Sequence, residues 1–507
     1  MLLLAALVCA ACGIIYELAL IALGSYLVGS SVTQTAVVVS VTLSAMGLGA
    51  LVAKPLVRWP TRAFAAVETM LGVLGGLSVL VLYAAFAWLD AYVPFLILTA
   101  VGVGSLIGME IPLLMRMVQQ VRAQDASQAV ADLSAADYLG ALVGGLAFPF
   151  LLLPLLGLLQ GTVAVGMLNV VGGWCIAGLL FRKALSVRQR RLIDGFAVLA
   201  IAVLAVALVW SGRFETTARQ ALYDSPIVYS ERSTYAEIVL TSEPLLGGGP
   251  QDLRLFLNGD LQFSSLDEYR YHEALVHPAM AGRHRRVLIL GGGDGLALRE
   301  VLRYDDVAQI TLVDLDRAVT QLAMTQPALV RLNDGAFTDP RVRVVNADAF
   351  GWMRDTAPAS GFDVVIVDLP DADSMETAKL YSVEFYGLIG HALASGGRLV
   401  VQGGSPYFAP QAYWSTEASV RTAGYATTAY HVDVPSFGDW GFVLAARQSD
   451  APELRVARHG PGLRFLSPDV LRAAQVFPPD RLPTSSRAST LLDPVILDYS
   501  RRGWVGY

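Results

Sequence analysis

Residues 287–295 read Val-Leu-Ile-Leu-Gly-Gly-Gly-Asp-Gly, an apolar strand that leads directly into a glycine loop with one acid, Asp294. Glycine has no side chain and tolerates left-handed backbone conformations, so such a loop lets the backbone approach a nucleotide closely. The spacing is not that of a pyrophosphate loop, and Asp294 would repel a pyrophosphate. We therefore expect an adenosyl ligand that carries positive charge.

Strands and helices alternate along the chain after this loop. The predicted strands are Arg286–Leu290, Ile310–Asp314, Val342–Val345, Asp363–Asp368 and Arg398–Gln402. Helical stretches separate them, an alternation that predicts a Rossmann-like, methyltransferase-type, doubly wound and mainly parallel sheet in residues 264–507. Short alternating runs in residues 212–263, broken at Gly247-Gly-Gly-Pro250, predict a linker and a small antiparallel β unit before it.

The chain combines two kinds of composition. Its 507 residues are 54% hydrophobic and 16% charged, with a mean hydropathy of +0.51, which is too apolar for an ordinary soluble enzyme. Residues 1–211 contain only ten of the 37 Lys and Arg residues and eight of the 43 Asp and Glu residues. About seven apolar runs there each reach the roughly 20 residues that cross a bilayer as a helix. We predict a multi-pass α-helical membrane domain in residues 1–211.

The connecting loops of this domain indicate its orientation. The loops after the second, fourth and sixth runs are basic, whereas the alternate loops have no Lys or Arg. The basic residues are Lys54, Arg58, Arg62, Arg116, Arg122, Arg182, Lys183, Arg188, Arg190 and Arg191. By the positive-inside rule this pattern places the amino terminus in the cytoplasm and, with seven spans, residues 212–507 on the outer side.

A few polar residues interrupt the apolar runs. Glu17 is expected to lie deep in the membrane, whereas Glu68, Glu110 and Asp137 are expected near its basic side. They predict either a pocket for a cationic solute or polar contacts between helices, and we favour the contacts. The pair Cys9-Ala-Ala-Cys12 has metal-binding spacing, but without a nearby His in the sequence it is interpreted as packing.

Four acids lie at or just beyond the carboxyl ends of predicted strands: Asp294, Asp314, Asp348 and Asp368. Ligands bind at these ends in doubly wound sheets. Asp314 follows the glycine loop by about 20 residues, where an acid can accept both ribose hydroxyls. A single Asp here could simply cap a helix, but four at one sheet edge indicate a site for a cationic ligand.

Several motifs occur in a fixed order through the second half of the chain. They are Leu257-Asn-Gly-Asp-Leu-Gln262, Asp267-Glu-Tyr-Arg-Tyr-His-Glu273, His277-Pro278, Gly291–Gly295, Val313-Asp-Leu-Asp316, Asn346-Ala-Asp-Ala-Phe350, Val367-Asp-Leu-Pro-Asp371, Leu380-Tyr-Ser-Val-Glu-Phe-Tyr386 and Pro435-Ser-Phe-Gly-Asp-Trp-Gly-Phe442. With these motifs, residues 223–507 resemble the polyamine aminopropyltransferases, the spermidine synthase family. The membrane half resembles the multi-span region fused to some bacterial members.

The resemblance implies transfer of an aminopropyl group from decarboxylated S-adenosylmethionine to a diamine, typically putrescine, giving spermidine and methylthioadenosine. It implies a co-substrate rather than a tightly bound cofactor, a small-molecule polyamine substrate, a lipid bilayer around the spans, no nucleic acid, and a homodimer formed through the catalytic domain. No metal is expected, because the transfer needs none and the His residues are scattered.

Residue roles carry over by position. Asp368 would be the general base, helped by Tyr271, and Asp371 would be a second acid for the diamine. Asp314 would hold the ribose and Asp348 the adenine. The other residues implied at the donor and amine sites are Gln262, His272, Gly291, Gly293, Asp294 and Ala349.

Charge gives independent support for a decarboxylated donor. This donor carries a sulfonium and an ammonium, and the diamine is a dication, so a strongly acidic pocket is required. Asp294 would repel the carboxylate of intact S-adenosylmethionine, which argues against an ordinary methyltransferase. The remaining alternative is a polyamine transporter or sensor whose second half binds nucleoside and amine without chemistry.

Two features depart from the family pattern. Asp368-Leu-Pro-Asp371 replaces the usual Asp-Ser-Ser-Asp or Asp-Ser-Thr-Asp, and Val434 replaces a tyrosine. We expect Phe437 and Trp440 to reshape the diamine end of the site.

The second departure concerns the side of the membrane on which the catalytic domain lies. The donor is made in the cytoplasm, so the resemblance implies a cytoplasmic catalytic domain, whereas seven spans and the loop charges imply the outer side.

Overall fold

The computed structural model describes residues 2–27, 32–89, 91–121, 126–182, 185–223, 225–244, 251–457, 460–483 and 486–503. Arg122, Lys183 and the predicted break at residues 247–250 lie outside these ranges. The chain divides into two compact units, Met1–Asp224 and Ser225–Tyr507.

The first unit is a bundle of long apolar helices. They are α1 (Leu2–Leu27), α2 (Val32–Leu56), α3 (Pro60–Leu89), α4 (Tyr92–Val121), α5 (Ala126–Ala147), α6 (Leu153–Cys175) and α7 (Val187–Leu222). Six helical stretches within the described residues are long and apolar enough to cross a membrane, and the fifth, Val130–Leu180, has 51 residues. Two π turns, Phe148–Leu152 and Ile176–Leu180, belong to this fifth stretch.

The fifth stretch reverses direction. As a straight helix its length would be more than twice the roughly 30 Å of a hydrocarbon core. Gly157 interrupts it with a φ of 70° and a ψ of −179°. Helix α5 packs parallel to α1, α1 packs parallel to α3, and α6 packs antiparallel to α3. The contacts that give these directions are Gly140 with Leu7, Gly144 with Ala11, Cys9 with Glu68, Tyr16 with Gly75, Gly173 with Glu68, and Gly166 with Gly76. The six stretches therefore contain seven helices.

The second unit begins with a four-stranded antiparallel sheet in the order β1-β2-β3-β4. Its strands are β1 (Ile227–Arg232), β2 (Glu237–Glu243), β3 (Asp252–Leu257) and β4 (Asp260–Ser264). Ile238, Leu255 and Phe263 pack in one buried cluster with Leu296 and Leu322 of the following domain. The small sheet therefore shares a core with that domain.

The main sheet has seven strands in the order β10-β11-β9-β8-β5-β6-β7. They are β5 (Arg286–Gly291), β6 (Gln309–Asp314), β7 (Val342–Asn346), β8 (Phe362–Asp368), β9 (Leu393–Gly404), β10 (Ala426–Val434) and β11 (Gly438–Ala446). Strands β5 to β9 are parallel, and β11 is antiparallel to both β9 and β10. The predicted fold class is confirmed.

Helices cover the faces of this sheet. They are α8 (Glu268–Val276), α9 (Leu296–Leu302), α10 (Arg317–Thr325), α11 (Pro327–Leu332), α12 (Ala349–Asp355), α13 (Met375–Ala378), α14 (Val383–Ala392), α15 (Pro410–Thr422), α16 (Pro468–Ala473) and α17 (Val495–Gly503). Strand order reverses between β5 and β8, where Gly291 pairs with Asp368 at the carboxyl ends. Such a switch point opens a crevice for a ligand.

Candidate active site

The glycine loop is pressed against the end of β8. Gly291 has a φ of 83°, and a Cβ atom there would lie 1.9 Å from the Asp368 carbonyl oxygen. The backbone N–H of Gly292 donates a 3.1 Å hydrogen bond to the same carbonyl. Because both the left-handed conformation and the close approach exclude a side chain, only glycine fits position 291.

Asp314, at the end of β6, is held by the same loop. Its Oδ2 accepts a 3.0 Å hydrogen bond from Gly293 N, and its Oδ1 accepts a 2.9 Å bond from Asp316 N. Burial raises the pKa of Asp314 to about 6, with the nearby charge of Asp294 acting in the same direction. Each carboxylate oxygen keeps a second lone pair, so the group can still accept ligand hydroxyls.

Asp294 lies at the turn into α9. Its Oδ1 accepts a 2.8 Å hydrogen bond from Leu296 N. Burial raises the pKa of Asp294 to about 6, while the positive charge of His272 opposes this shift and the negative charge of Asp368 adds to it. The three groups therefore lie within electrostatic range of one another at the glycine loop.

Tyr271 joins the first helix of the domain to the end of β8. Its hydroxyl donates a 2.7 Å hydrogen bond to Asp368 Oδ1, and the tyrosine is buried. Burial raises the pKa of Asp368, and burial together with the Asp368 charge raises the pKa of Tyr271. Tyr271 therefore stays protonated, and Asp368 is a stronger base than an exposed aspartate. Phe437 and Phe442 pack against the tyrosine ring, at 5.9 and 5.3 Å between centroids.

Glu268, which is itself paired with Arg299, holds the imidazole ring of His272. Its Nδ1 lies 2.9 Å from Glu268 Oε2, and Arg299 donates to both oxygens of that glutamate at 3.0 and 2.9 Å. Burial lowers the pKa of His272, but the hydrogen bond and charge of Glu268 outweigh it and raise the pKa to about 9. The imidazole is thus a cation at neutral pH beside Asp294 and Asp368.

Asp371 lies three residues beyond Asp368. Burial raises its pKa to about 6, and the charge of Asp373 contributes. Gln402 donates to Asp371 Oδ1 at 3.1 Å and to the Tyr381 hydroxyl at 2.6 Å, while Trp440 Nε1 donates to Gln402 Oε1 at 3.3 Å. Sequence reasoning missed Gln402 and Tyr381, although Gln402 is the last residue of a predicted strand and the strand-end rule applies to it as well.

Asp348 and Ala349 begin α12 beside a lysine. Asp348 Oδ2 accepts a 2.8 Å hydrogen bond from Gly351 N, and Lys379 Nζ lies 2.9 Å from Asp348 Oδ1. Although partial burial raises it, the pKa of Asp348 is lowered by its bond to Lys379. Gln262 lies apart on β4, where its side-chain N–H₂ donates to the Asp260 carbonyl at 3.1 Å.

Together these side chains form an acidic cluster at the switch point. The structure brings Tyr271, His272, Asp294 and Asp368 together, with Asp314 at the same loop. Asp371 extends the cluster beyond β8. Such an arrangement can bind a ligand with several positive charges and accept one proton from it.

Comparison with known proteins identifies relatives of both units. Residues 268–456 match the family described as "Spermine/spermidine synthase domain". Polyamine aminopropyltransferase 1 of Streptomyces coelicolor is 55% identical over 508 residues, covering 100% of this chain and 95% of the relative. Polyamine aminopropyltransferase of Mycobacterium tuberculosis is 48% identical over 505 residues, covering 98% and 95%.

Solved structures match part of the chain. A crystal structure of spermidine synthase in complex with the transition state analogue AdoDATO is 27% identical, with a TM-score of 0.45. The match covers 50% of this chain and 86% of that chain.

Proposed function

This chain belongs to the polyamine aminopropyltransferase family, and from that premise we propose that it transfers an aminopropyl group from decarboxylated S-adenosylmethionine to putrescine. The products would be spermidine and methylthioadenosine. The observation that carries the proposal is the 2.7 Å hydrogen bond from Tyr271 to Asp368, which sets a buried base beside a glycine loop that carries its own acid.

The charge of the pocket supports the decarboxylated donor. Asp294 and Asp368 face the place where the tail of an adenosyl donor would lie, and both have a raised pKa caused by burial. An ammonium and a sulfonium would pair with these groups and keep them ionised. The extra carboxylate of intact S-adenosylmethionine would instead be repelled there.

In the proposed step, the amine nitrogen attacks the aminopropyl carbon bonded to sulfur. The carbon–sulfur bond breaks and its electron pair passes to sulfur, so the leaving group is a neutral thioether. The attacking nitrogen loses one proton to Asp368, whose raised pKa makes it a better base near neutral pH. Tyr271 holds the carboxylate in position, and fixed orientation of the two substrates supplies much of the acceleration.

His272 has a different role from the amine-site contact that the resemblance implies. An imidazolium repels an ammonium, so a histidine with a pKa of about 9 is poorly suited to bind the amine directly. We propose that its charge balances Asp294 and Asp368 when no substrate is bound. Glu268 and Arg299 would then be positioning residues that keep the imidazole charged and fixed.

The remaining roles are distributed along the pocket. Asp314 would accept the ribose hydroxyls, and Asp348 with Ala349 would contact adenine. Gly291 and Gly293 would admit the donor, Gln262 would line its aminopropyl end, and Asp371 would bind the far ammonium of the diamine. Trp440, 5.1 Å from Phe437 between ring centroids, would limit acceptor length.

The test is turnover by the full-length protein with a panel of donors and amines, with products identified by mass. We expect Asp368→Asn to lower kcat by about 10²- to 10⁴-fold, and Tyr271→Phe by less. The matched control is Asp355→Asn, because Asp355 lies on the surface and pairs only with Arg354 in the described contacts. Activity that survives Asp368→Asn would refute the assigned base. Spermidine binding without methylthioadenosine formation would favour a sensor or transporter.

The membrane unit sets where this chemistry occurs. We propose that the chain is a multi-pass membrane protein, that it dimerises through the second unit, and that the catalytic unit faces the cytoplasm, where the donor is made. With a cytoplasmic amino terminus, this sidedness requires that α1 or α7 does not cross the bilayer. A tag at residue 507 and protease treatment of intact cells test it: cleavage of the tag from outside would refute the cytoplasmic location, and light scattering in detergent would test the dimer.

A further inference from the structure

Three buried side chains from three helices meet inside the membrane unit. The Cys9 thiol and the carboxylates of Glu68 and Glu110 each place one ligand atom within 4.8 Å of the others. Their exposed fractions are 4%, 0% and 4%. Helices α1, α3 and α4 contribute one residue each, so the cluster exists only in the assembled bundle.

This cluster differs from what the sequence led us to expect. Glu17 stays predicted to lie deep in the membrane, but its side chain is only partly buried within the unit. Glu68 and Glu110 were expected near water, and Cys9 was interpreted as a packing residue. Parallel packing of α1 on α3 brings Cys9 level with Glu68, which the sequence spacing of neither helix indicates.

The surrounding polar atoms lack partners among the described residues. Both Glu68 oxygens, one Glu110 oxygen, the Tyr16 hydroxyl and both amide atoms of Asn169 are buried without a hydrogen bond. Tyr16 is 0% exposed and Asn169 is 1% exposed. Buried polar groups are costly to leave unsatisfied, so the Glu68 and Glu110 oxygens at the cluster indicate a missing ligand.

Tyr16 and Asn169 lie on α1 and α6, the two helices whose residues Cys9 and Gly173 approach Glu68. The Tyr16 ring lies over Gly75 of α3, and helical side chains lean toward the amino terminus of their helix, which here is toward Cys9. Asn169 is one turn before Gly173, whose Cα packs against the Glu68 side chain.

The ligand set favours a metal ion over an amine. Two carboxyl groups in an apolar bundle must either hold protons or pair with a cation, and no Lys, Arg or His forms an ion pair with either one within the described residues. A thiol is a weak acceptor for an ammonium but a strong ligand for a borderline transition metal when deprotonated. In a tetrahedral zinc site, bond lengths of about 2.0–2.3 Å place neighbouring ligand atoms within this 4.8 Å limit.

We propose that Cys9, Glu68 and Glu110 bind a divalent transition-metal ion such as Zn²⁺, with water at the fourth position. Binding exchanges the thiol proton of Cys9 for the metal and releases that proton to solvent. The ion would join α1, α3 and α4 and offset two of the three negative charges of the thiolate and the two carboxylates. Glu68 follows the basic residue Arg62 by six positions, about 9 Å along a helix, so an ion would enter from the basic side of the unit.

The test uses full-length protein in detergent, stripped with a chelator and titrated with Co²⁺. We expect one Co²⁺ per chain, a thiolate-to-cobalt absorption band, and loss of that band on adding Zn²⁺. Cys9→Ser should abolish the band, and Glu68→Gln should weaken Co²⁺ binding by about 10- to 100-fold. Cys175→Ser is the matched control and should retain the band, because Cys175 lies outside the cluster.

A second measurement covers the possibility that a variant folds poorly. Zn²⁺ should raise the Tm of the stripped wild-type protein and of Cys175→Ser, but not of Cys9→Ser or the conservative variant Glu68→Asp. Absence of stoichiometric metal binding would overturn the proposal, as would a cobalt band that persists in Cys9→Ser. Stabilisation by spermidine with none by Zn²⁺ would overturn it in favour of an amine site.

Discussion

Lys379 Nζ lies 2.9 Å from Asp348 Oδ1, so the carboxylate assigned to adenine is paired before any donor binds. The adenine end is remote from the reacting carbon, so this contact stabilises the ground state and the transition state equally. We expect Asp348→Asn to raise the KM for the donor by about tenfold with kcat nearly unchanged. Steady-state kinetics at saturating amine measures both constants.

Lys379→Met tests the contribution of the lysine to donor binding separately from that of the Asp348 carboxylate. Both partners are more than a third exposed, and such an ion pair contributes about 0–1 kcal/mol. The donor KM should therefore change by less than about fivefold in this variant. An equal loss of kcat in Asp348→Asn would contradict a role confined to adenine binding.

Gly293→Ala tests the contact between the glycine loop and the ribose acid. A Cβ atom at residue 293 would lie 2.6 Å from Asp314 Oδ2, so the carboxylate would have to move. We expect the donor KM to rise by at least about tenfold, because Asp314 would lose its position for the ribose hydroxyls. Gly387→Ala is the control, since a Cβ there meets no atom within 4 Å. Equal effects of the two substitutions would mean that this loop does not hold the donor.

The strands of the second unit were predictable because each carries a strong local signal. Arg286–Leu290 and Asp363–Asp368 are β-branched or apolar runs that end in a glycine or an acid, and the structure extends each by one residue. The hairpin of β10 and β11 was missed. Its strands contain Thr, His and Asp, so hydrophobic alternation is weak, and they join the sheet through the pairing of β11 with β9.

Some site residues could likewise be predicted from a local signal, whereas others depend on contacts between distant parts of the chain. Asp294 and Asp368 follow strands directly, so the strand-end rule locates them. The charge of His272 depends on Glu268 and Arg299, and Arg299 comes from another helix. Buried acids in the membrane helices are harder still to predict, because the rotation of each helix about its axis decides which acid faces the interior. Glu68 rather than Glu17 faces the bundle interior, and apolar composition alone does not indicate this.

The acid limb of the pH profile should come from the carboxyl groups that we propose bind the donor. Burial raises the pKa of both Asp294 and Asp314 to about 6, and each must be ionised to pair with a cation or accept ribose hydroxyls well. We expect kcat/KM for the donor to fall as pH drops through about 6, whereas ordinary aspartates would give a fall near 4. A profile that stays flat down to pH 5 would contradict the burial of these groups.

Thermal stability of the second unit should depend on His272. Its folded pKa of about 9 exceeds the unfolded value of about 6.5, so the protonated ring stabilises the fold fully below pH 6.5, and this contribution is lost as pH rises through 9. The full effect is on the order of 3 kcal/mol. The temperature of half-inactivation, with residual activity assayed at a single pH, should fall between pH 6.5 and 9. Glu268→Gln should flatten this decline, and an unchanged slope would show that the glutamate does not set the pKa.

Asp371→Asn distinguishes binding of the far ammonium from a general effect on the fold. Gln402 orients the Asp371 carboxylate, which would pair with the second charge of a diamine. We expect the KM for putrescine to rise by at least about tenfold, while a monoamine of the same length, which has no second charge, loses much less. Asp355→Asn is the control, because Asp355 is exposed and pairs with Arg354 rather than with any group of the site. Only a direct ion pair depends on a second ammonium. An equal rise in KM for the two amines would therefore mean that Asp371 maintains the structure of the pocket and does not bind the far ammonium of the diamine.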